Sequence, residues 1–470
     1  MKKITISFLL LFAAFVSQAK VILPPVLADN MVLQQQTDAA LWGKAEPGAK
    51  IVISTTWSKS KVTVRAGEDS CWVARVSTPK AGGPYEITFN DGDKVTLKNV
   101  LIGEVWICSG QSNMDMPMKG LRNQPVEGSA ELIMGAKPST MIRSCNVKRC
   151  KSFEPQEECA AKWYEHTPEG VANASAVAYF FAKRLYDVLE IPIGIIHVSW
   201  PGTPIEAWMS PAVLAEEFSS EFDLSHLETK IWREKEPYQM PGVLYNGMLY
   251  SLRNYTAKGF IWYQGCSNRQ NPQQYKRLQP AFVRMLRKDW NNETMPFYYT
   301  QIAPYKHNPP ELLWAQAQNL AEIPYSGMAS AHDVGEYHVI HPAKKQPVGD
   351  RLAWLALANN YGMNYIDAKT PVPVKFEFRE GEAEVTFDVG PLGVSPRSQD
   401  LDGFELAGED GVFYPAKGYV LRHKGNNKIK VYNCPQVPNP VAVRYAFKKW
   451  CKPTLFNCYG IPATPFASDK

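Results

Sequence analysis

One serine, Ser112, stands where a short apolar run meets a turn, and it could act as a nucleophile. The run Val105 to Cys108 predicts a buried strand, and Gly110 permits a sharp turn after it. A helix that begins at Ser112 would direct backbone N–H groups toward negative charge developing beside the hydroxyl. This layout is typical of an acyl-transfer site. The alternative is an ordinary strand–loop–helix junction in which Ser112 caps the helix.

A serine nucleophile needs a base, and the chain has eight histidines. His341 is our candidate because it precedes Pro342, and proline is favoured at the first position of a helix. A loop between a strand and a helix is a place from which a base can reach a nucleophile on a neighbouring strand. His332 and His338 lie in the same loop region and compete for this role. A purely structural histidine is the alternative.

The oxyanion of an acyl-transfer intermediate also needs hydrogen-bond donors. The backbone N–H of Ser112 is one candidate, and Gly202, which follows Trp200-Pro201, is a second. The side-chain amide of Gln264 or Asn268 could supply a third. The alternative is that these segments are ordinary turns at strand ends.

Four motifs occur in order along the chain. They are Trp106-Ile-Cys-Ser-Gly-Gln-Ser-Asn-Met114, Trp200-Pro-Gly-Thr-Pro-Ile-Glu-Ala-Trp208, Trp262-Tyr-Gln-Gly-Cys-Ser-Asn268 and Ile340-His-Pro-Ala-Lys-Lys-Gln346. Together they resemble the sialate O-acetylesterases, members of the SGNH hydrolase superfamily, and the resemblance spans almost the whole mature chain. It implies a serine esterase that removes O-acetyl groups from sialic acids through an acetyl-enzyme, without metal or organic cofactor. Ser112 would be the nucleophile, His341 the general base, and Gln111 part of the oxyanion and substrate-binding set.

Three residues near the expected site depart from the family pattern. Family members usually have glutamate at the position of Cys266, a glycine at Pro201, and often an aspartate close to the histidine, where this chain has Val339. A thiol cannot hold an imidazolium as a carboxylate does, and proline has no N–H to offer an oxyanion.

The altered pattern leaves the acid of a catalytic triad to be found elsewhere. Asp333 and Glu336, upstream in the same loop, are the candidates to orient His341. A Ser–His dyad without an acid is the alternative, because oxyanion donors and substrate binding still contribute when one triad member is missing.

Two other functions remain open beside the sialate esterase. One is an acetylesterase for a different acetylated glycan such as xylan, since specificity lies in loops that the motifs do not describe. The other is a catalytically degenerate member that binds acetylated sugar without efficient turnover.

The elements that would position these residues follow from the pattern of apolar runs. Residues 20–100 show short β-like runs between Pro and Gly turns and predict an N-terminal β-sandwich domain. Residues 101–368 alternate apolar strands with helical stretches, which predicts a parallel sheet covered by helices. With the resemblance, this is an α/β catalytic domain of the SGNH-like three-layer α/β/α type. Residues 369–470 return to β-like runs and predict a C-terminal β-domain.

Within the catalytic region the expected elements have definite limits. We expect strands at Val105–Cys108, Ile193–Ser199, Gly259–Tyr263 and Phe297–Ile302, a helix at Ala176–Leu189, and a final helix that begins near Pro342 and continues through Ala358. In an open sheet of this kind the site lies outside the carboxyl ends of the strands.

Charge and the N-terminal segment limit partners and location. The formal net charge is only +5 over 470 residues, and basic and acidic residues are interspersed, which argues against a nucleic-acid partner. Residues 1–19 carry two lysines, an apolar stretch and a Ser17-Gln18-Ala19 ending, which predict a secretory signal peptide and no stable membrane anchor. We therefore expect a bacterial periplasmic or secreted protein that acts on an acetylated sugar.

The nine cysteines lie in no CxxC pair and show no metal-ligand spacing, so no metal site is expected. In an oxidising compartment two of Cys145, Cys150 and Cys159 could pair, as could Cys451 and Cys458. The sequence leaves the pairing and the oligomeric state open.

Overall fold

The computed structural model describes residues 20–232, 235–422 and 425–470. The predicted signal peptide, residues 1–19, lies outside the described residues. Among the helices in these ranges, none combines the length and the apolar character needed to span a bilayer. The same ranges contain no group of three or more His, Cys, Asp or Glu side chains placed to hold a metal ion.

Seven strands build the N-terminal region and lead into the centre of the molecule. They are β1 Val32–Gln34, β2 Asp38–Lys44, β3 Lys50–Thr55, β4 Ser58–Arg65, β5 Cys71–Ser77, β6 Gly82–Asn90 and β7 Lys94–Gly110. Strands β2 and β5 pair with each other, and β4, β3, β6, β7 and β1 form a second sheet. Trp72 of β5 packs on Phe89 of β6 with ring centroids 5.7 Å apart, so aromatic side chains fill the space between the two sheets.

Strand β7 connects this region to the central sheet without a break. Its 17 residues pair with β6 and β1 in the first part and with two central strands from Glu104 onward. The strand thus runs through the predicted boundary between residues 100 and 101. Because β7 is hydrogen-bonded along both parts, the turn at its carboxyl end is attached to a rigid element.

The central sheet has β7 in its middle. Its other strands are β8 Ile142–Val147, β9 Ala161–Tyr164, β10 Ile193–Ser199, β11 Gly259–Tyr263, β12 Phe297–Thr300 and β13 Ser326–Ala329. The order is β13-β12-β11-β7-β10-β8-β9, and all neighbours are parallel except β8 and β9. The sheet with its helices confirms the predicted α/β class. Strands β8, β9 and β13 were not predicted, since β13, for example, consists of Ser-Gly-Met-Ala and carries no β-branched residue.

The described residues contain nine α-helices. They are α1 Ser112–Asp115, α2 Ser129–Met134, α3 Pro168–Asn173, α4 Ala176–Leu189, α5 Pro211–Glu217, α6 Ser225–Thr229, α7 Pro272–Asp289, α8 Pro310–Glu322 and α9 Gln346–Asn360. Helix α4 has the predicted limits. It packs closely on α9, where a Cβ added to Gly349 would lie 2.5 Å from the Cβ of Phe180.

The predicted start of the last helix near Pro342 is wrong. Pro342 lies in irregular structure, and α9 begins at Gln346 with Pro347 in its first turn. The rule that proline starts a helix holds here, but for the second proline of the segment. His341 is therefore separated from the helix by a short loop.

The C-terminal region is a seven-stranded antiparallel sheet and a separate antiparallel pair of two short strands, Val394–Ser395 and Phe456–Asn457. The strands are β14 Val372–Arg379, β15 Glu382–Asp388, β16 Val394–Ser395, β17 Leu401–Ala407, β18 Phe413–Val420, β19 Lys428–Tyr432, β20 Ala442–Tyr445, β21 Phe456–Asn457 and β22 Phe466–Ala467. The region contacts the central domain through buried hydrogen bonds, among them the one from Gln301 Nε2 to Thr464 Oγ1 at 2.6 Å.

The nine cysteines are all free thiols, so neither of the disulfides considered from the sequence forms. Cys145 is buried in β8, and Cys159 Sγ accepts a hydrogen bond from Ser251 at 2.9 Å. Cys451 lies beside His332, with 3.6 Å between Sγ and Nε2, while Cys458 points to Leu392 O at 3.2 Å. Cys150 and Cys458 are exposed, whereas Cys145 and Cys159 are buried.

Candidate active site

The turn that carries Ser112 follows directly from the geometry of β7. Gly110, the last residue of β7, has φ +144°, and a Cβ there would lie 2.2 Å from Tyr263 O of the neighbouring strand β11. Only glycine fits, because the adjacent backbone occupies the space of a side chain. The chain then turns into α1, whose first residue is Ser112. Gln111 is at the N-cap position, so the alternative in which Ser112 caps the helix is wrong.

Helix α1 is short and is fixed by its neighbours. Ser175, the residue before α4, donates a hydrogen bond from Oγ to Met114 O at 2.5 Å and accepts one from Ala178 N at 3.3 Å. One side chain thus caps α4 and holds α1. Ser112, the first residue of α1, is half-buried.

Gln111 holds the two neighbouring turns together. Its side chain is nearly buried, and Oε1 accepts hydrogen bonds from Gly265 N at 3.0 Å and Ser267 N at 3.4 Å. Gln111, which was predicted to bind substrate, therefore binds the turn after β11. Its side chain links the carboxyl ends of β7 and β11.

The predicted oxyanion role of the Gln264 side chain is not supported by its hydrogen bonds. Its Nε2 donates to Thr203 O at 3.1 Å and to Asn268 Oδ1 at 2.7 Å, which uses both N–H bonds of the amide. Gln264 is completely buried, so it has no donor left for a ligand.

The side chain of Asn268 also makes hydrogen bonds within the protein. Its Nδ2 donates to Glu206 Oε2 at 2.8 Å, and its Oδ1 accepts from Ile205 N at 3.0 Å. The Gln264 amide therefore has no N–H left for an oxyanion, whereas Asn268 Nδ2 uses one of its two N–H groups, and its expected role stays a prediction. Both amides pair buried groups of the segment after β10, which would be costly to leave unpaired.

Two backbone donors remain for an oxyanion. Within the described ranges, the N–H groups of Ser112 and Gly202 donate no hydrogen bond to the protein. Gly202 adopts φ +77° in the turn after β10, and its carbonyl accepts from Gln239 Nε2 at 2.8 Å. These are the two backbone groups expected from the sequence.

His341 lies half-buried in the loop between β13 and α9, and its partner is an amide. His341 Nδ1 and Gln124 Oε1 are 2.5 Å apart. An amide oxygen can only accept, so the Nδ1 proton is held there and Nε2 keeps its lone pair. Burial, and to a smaller extent the positive charge of Lys345, lower the pKa of His341 to about 4.

Gln124 was missed from the sequence. It lies in the loop after α1, 217 residues before His341, and nothing in the local pattern marks it. The only signal was the position of the loop, which follows the nucleophile and was expected to affect specificity.

The two predicted acids do not orient His341. Asp333 forms a bidentate pair with Arg351 of α9, with both oxygens at 2.6 Å from the guanidinium. Glu336 Oε1 accepts from Ala343 N at 3.1 Å. A carboxylate that already receives two charge-assisted bonds is held by them, and this explains why Asp333 does not reach the imidazole.

The competing histidines lie away from the nucleophile turn. His332 is buried, with Nδ1 3.2 Å from Ala463 O of the C-terminal region. His338 is exposed and packs edge-on against Tyr337.

Asn113 connects the two halves of the candidate site. It follows Ser112 in the chain, and its Nδ2 donates to Ile340 O, the residue before His341, at 3.0 Å. Its Oδ1 accepts from Lys345 Nζ at 2.5 Å. The fold therefore brings the serine turn and the histidine loop together.

Cys266 occupies the buried position at which the family usually has glutamate. Burial raises the pKa of its thiol to about 11, although Asn308 and nearby cations act in the opposite direction. Asn308 Nδ2 is 3.8 Å from its sulfur. The group is a neutral thiol at ordinary pH and supplies no negative charge to the site.

A cleft of about 670 Å³ adjoins the serine turn. Ser112 and His341 do not line it, but Gly202, Cys266 and Ser267 do, and these belong to the turns that contact Gln111. Trp200 and Tyr238 stack nearby, with ring centroids 5.0 Å apart.

Arg269 is the arginine among the side chains lining this cleft, which also include the carboxylates of Glu206, Glu221 and Asp223. Its Nη1 donates to Cys266 O at 3.2 Å, and within the described parts of the chain it forms no ion pair. By contrast, the carboxylate of Glu221 is engaged by Arg277 at 2.7 Å, and that of Glu206 by Asn268.

Known proteins resemble this chain both in sequence and in fold. The family model for "Carbohydrate esterase, sialic acid-specific acetylesterase" matches residues 102–358. The chain is 30% identical over 396 residues to the sialate O-acetylesterase of Homo sapiens, a match that covers 74% of this chain and 73% of that protein. It is 28% identical over 448 residues to the sialate O-acetylesterase of Rattus norvegicus, covering 81% of each chain.

A solved structure is similar over nearly the full length. The crystal structure of a carbohydrate acetylesterase from Xanthomonas citri matches with a TM-score of 0.86 at 30% sequence identity. The match covers 96% of this chain and 100% of that chain. The N-terminal and C-terminal β-regions are therefore shared with that protein as well as the central sheet.

Proposed function

The chain belongs to the sialic acid-specific acetylesterase family of carbohydrate esterases, and from this membership we propose that it removes O-acetyl groups from sialic acids with Ser112 as nucleophile and His341 as general base. The observation that carries the assignment of residues is the bond from Asn113 to Ile340 O, which joins the serine turn to the histidine loop. The family consists of carboxylic ester hydrolases, so the enzyme class follows from membership.

The reaction proceeds in two halves. His341 Nε2 takes the Ser112 proton as Oγ attacks the acetyl carbonyl, and the N–H groups of Ser112 and Gly202 bind the oxyanion. The intermediate collapses when the sugar oxygen takes the proton from His341 and leaves. Water, deprotonated by His341, then attacks the acetyl-enzyme and releases acetate.

Gln124 takes the place of the triad acid in this proposal. Its carbonyl holds the imidazole in the tautomer that accepts a proton at Nε2, but it brings no negative charge to stabilise the imidazolium. The arrangement supports a Ser–His dyad oriented by an amide. Activity below that of a full triad is expected.

Arg269 favours an anionic sugar over a neutral one. A sialic acid carries a carboxylate, and a guanidinium without an ion-pair partner in the cleft offers it a bidentate partner. Arg149, which lies over the Trp200 ring, is already paired with Asp115 at 2.6 Å. Acetylated xylan has no group for this site, and a member that only binds sugar would not need the free oxyanion donors.

The finer features of fold and location belong to the same proposal. The pairs α4 with α9 and α7 with α8 support a three-layer α/β/α arrangement of the SGNH type. The proposed domains are residues 20–100, 101–368 and 369–470, and the N-terminal segment 1–19 supports export to a bacterial periplasm or to the medium.

Hydrolysis of an aryl acetate tests the assignment of residues. We expect Ser112→Ala and His341→Ala to lower kcat/KM by roughly 1,000-fold or more, since members of a catalytic unit each remove most of its effect. His338→Ala, at an exposed histidine of the same loop, is the control and should match wild type. A wild-type rate no higher than that of Ser112→Ala would leave the sugar-binding alternative.

The substrate class is tested by comparing an O-acetylated sialic acid, its carboxyl methyl ester and acetylated xylan. We expect wild type to prefer the free acid, and Arg269→Gln to lose roughly 10-fold to 100-fold in kcat/KM on the acid only, as removal of one charged partner would cause. Arg284→Gln, which removes an exposed guanidinium paired with Glu217, is the matched control because neither residue lines the cleft. Faster turnover of xylan than of the sialic acid would favour the other glycan esterase.

A further inference from the structure

Lys345 is a buried cation that the proposed reaction does not use. Its side chain is 1% exposed, and within the described ranges it forms no ion pair. A buried ammonium is costly unless its environment compensates for lost hydration. Burial accordingly lowers the pKa of Lys345 to about 7. We therefore expect that Lys345, a costly buried cation close to the proposed nucleophile, has a function.

The contacts of Lys345 point to that role. Its Nζ donates to Asn113 Oδ1 at 2.5 Å, and the same amide donates from Nδ2 to Ile340 O at 3.0 Å. An amide has distinct donor and acceptor ends, so Lys345 fixes which end faces Ile340. Asn113 is 2% exposed, so any rotation of its side chain would break at least one of these hydrogen bonds.

These contacts link the residue after the nucleophile to the residue before the base. The hydrogen bonds from residue 113 to residues 340 and 345 span 227 and 232 residues of sequence, and they attach the loop to the residue next to Ser112. Two other bonds, from Glu127 N to Ala343 O at 3.0 Å and between His341 Nδ1 and Gln124 Oε1 at 2.5 Å, hold the same loop on the segment after α1. Proton transfer depends on hydrogen-bond geometry, and a displacement of about 1 Å can cost roughly 100-fold in rate. The link is therefore placed where a small movement matters.

Electrostatics adds a second effect at the same place. The groups whose charge acts on Lys345 are Cys266 and Glu336, and Lys345 in turn acts on His341. Because Cys266 is a neutral thiol, Glu336 is the group that offsets part of the positive charge of Lys345. The pKa of His341 is lowered mainly by burial, and the positive charge of Lys345 lowers it further by disfavouring the imidazolium.

We propose that Asn113 and Lys345 are positioning residues, in which Lys345 fixes the amide of Asn113 and Asn113 holds the His341 loop against the Ser112 turn. This inference rests on the proposed function of the same site. Neither residue touches the reacting atoms, and each acts through the placement of His341.

Two variants separate the two bonds. Lys345→Met removes the cation and its hydrogen bond, and Asn113→Asp keeps an acceptor for Lys345 but removes the donor to Ile340 O. For both we expect kcat on an aryl acetate to fall on the order of 100-fold while KM changes by less than about threefold, because alignment and not binding is lost. Lys344→Met, at the exposed neighbour, is the control and should match wild type.

The pH profile gives a readout that a merely structural lysine would not move. Removing the positive charge raises the pKa of His341, so the acid limb of the kcat/KM profile of Lys345→Met should move to higher pH. The melting temperature should change little, because the removal of a buried charge offsets the hydrogen bond that Asn113 Oδ1 loses. A slower but folded variant would thus support positioning.

The outcomes distinguish this inference from the proposed function. Wild-type kcat and an unmoved acid limb in Lys345→Met, or wild-type kcat in Asn113→Asp, would overturn the positioning role while Ser112→Ala remains inactive. A wild-type enzyme no faster than Ser112→Ala would instead overturn the proposed function.

Discussion

At the scale of single residues, the site is notable for an amide where hydrolases of this kind use an acid. The distance of 2.5 Å between Gln124 Oε1 and His341 Nδ1 is short enough to define the tautomer. The pKa of His341, lowered to about 4, leaves the imidazole of this proposed base neutral over the whole neutral range. The same low basicity weakens the driving force for taking the serine proton.

Replacing Gln124 by glutamate should restore the charge. We expect Gln124→Glu to raise the pKa of His341 and to move the acid limb of the kcat/KM profile to higher pH, because a carboxylate stabilises the imidazolium. Gln124→Ala, which loses the orienting bond, should lower kcat by roughly 10-fold to 100-fold. The measurement is hydrolysis of an aryl acetate between pH 4 and pH 8.

Asn123→Asp is the matched control for the glutamate variant. It adds a carboxylate at the exposed neighbouring residue, whose φ of +58° aspartate tolerates. An equal shift of the acid limb in this variant would mean that general charge, and not the contact to Nδ1, moves the base.

At the scale of elements, three adjacent parallel strands supply the site. Strands β10, β7 and β11 end side by side, and their turns carry Gly202, Ser112 and Gly265. The carboxyl ends of parallel strands meet at one edge of a sheet, so residues far apart in sequence share one surface. Precision at this edge depends on how closely the strand ends approach, and Gly110 is the point of closest approach.

Gly110→Ala should damage both stability and rate. Its Cβ would lie 2.2 Å from Tyr263 O, so β7 and β11 must separate and Ser112 must move. We expect a lower melting temperature and a kcat reduced on the order of 100-fold. Activity on an aryl acetate and thermal unfolding followed by circular dichroism are the measurements.

Gly92→Ala provides a control with the same backbone problem. Gly92 has φ +127°, close to that of Gly110, but nothing lies within 4 Å of its added Cβ. The variant should lose only about 1–2 kcal/mol of stability and keep its kcat. If the two variants behaved alike, backbone conformation would explain the effect, and the clash with β11 would not.

At the scale of the whole molecule, the C-terminal β-region is joined to the central domain through buried polar groups. His332 Nδ1 is 3.2 Å from Ala463 O, and Cys451 lies on the other side of the ring with 3.6 Å between Sγ and Nε2. Burial lowers the pKa of His332 from 6.5 to about 4. The junction therefore depends on an uncharged imidazole.

This junction predicts acid sensitivity with a definite sign. Between pH 6.5 and pH 4 the unfolded chain binds a proton at His332 that the folded protein does not, so stability falls as pH falls. The stabilisation of the folded protein by the uncharged His332 is complete above pH 6.5 and is lost as the pH drops through about 4. The melting temperature of wild type should decrease over this range, and that of His332→Gln should decrease less.

His338→Gln, at an exposed histidine, is the control and should follow wild type. The experiment is a series of thermal unfolding curves between pH 4 and pH 7 for the three proteins. An unchanged pH dependence in His332→Gln would show that other groups cause the acid sensitivity.

Much of the framework could be predicted from the sequence because its signals are local. The limits of α4, β10 and β11 agree with the prediction, since each is an unbroken apolar or helical pattern bounded by turn residues. The strand, glycine turn and serine of the first motif are equally local, and they place Ser112 at the end of a strand and the start of a helix. The start of α9 was missed because two prolines, Pro342 and Pro347, fit the same rule.

The partners of the site residues were decided only by the tertiary structure. The sequence by itself determined the α/β class, the family and the identity of Ser112 and His341 as the pair to consider. Which group orients His341, which amides are already used, and what holds the base on the nucleophile depended on contacts that span more than 200 residues. Hydrogen bonds of that kind form between elements that packing brings together, and no spacing in the chain records them.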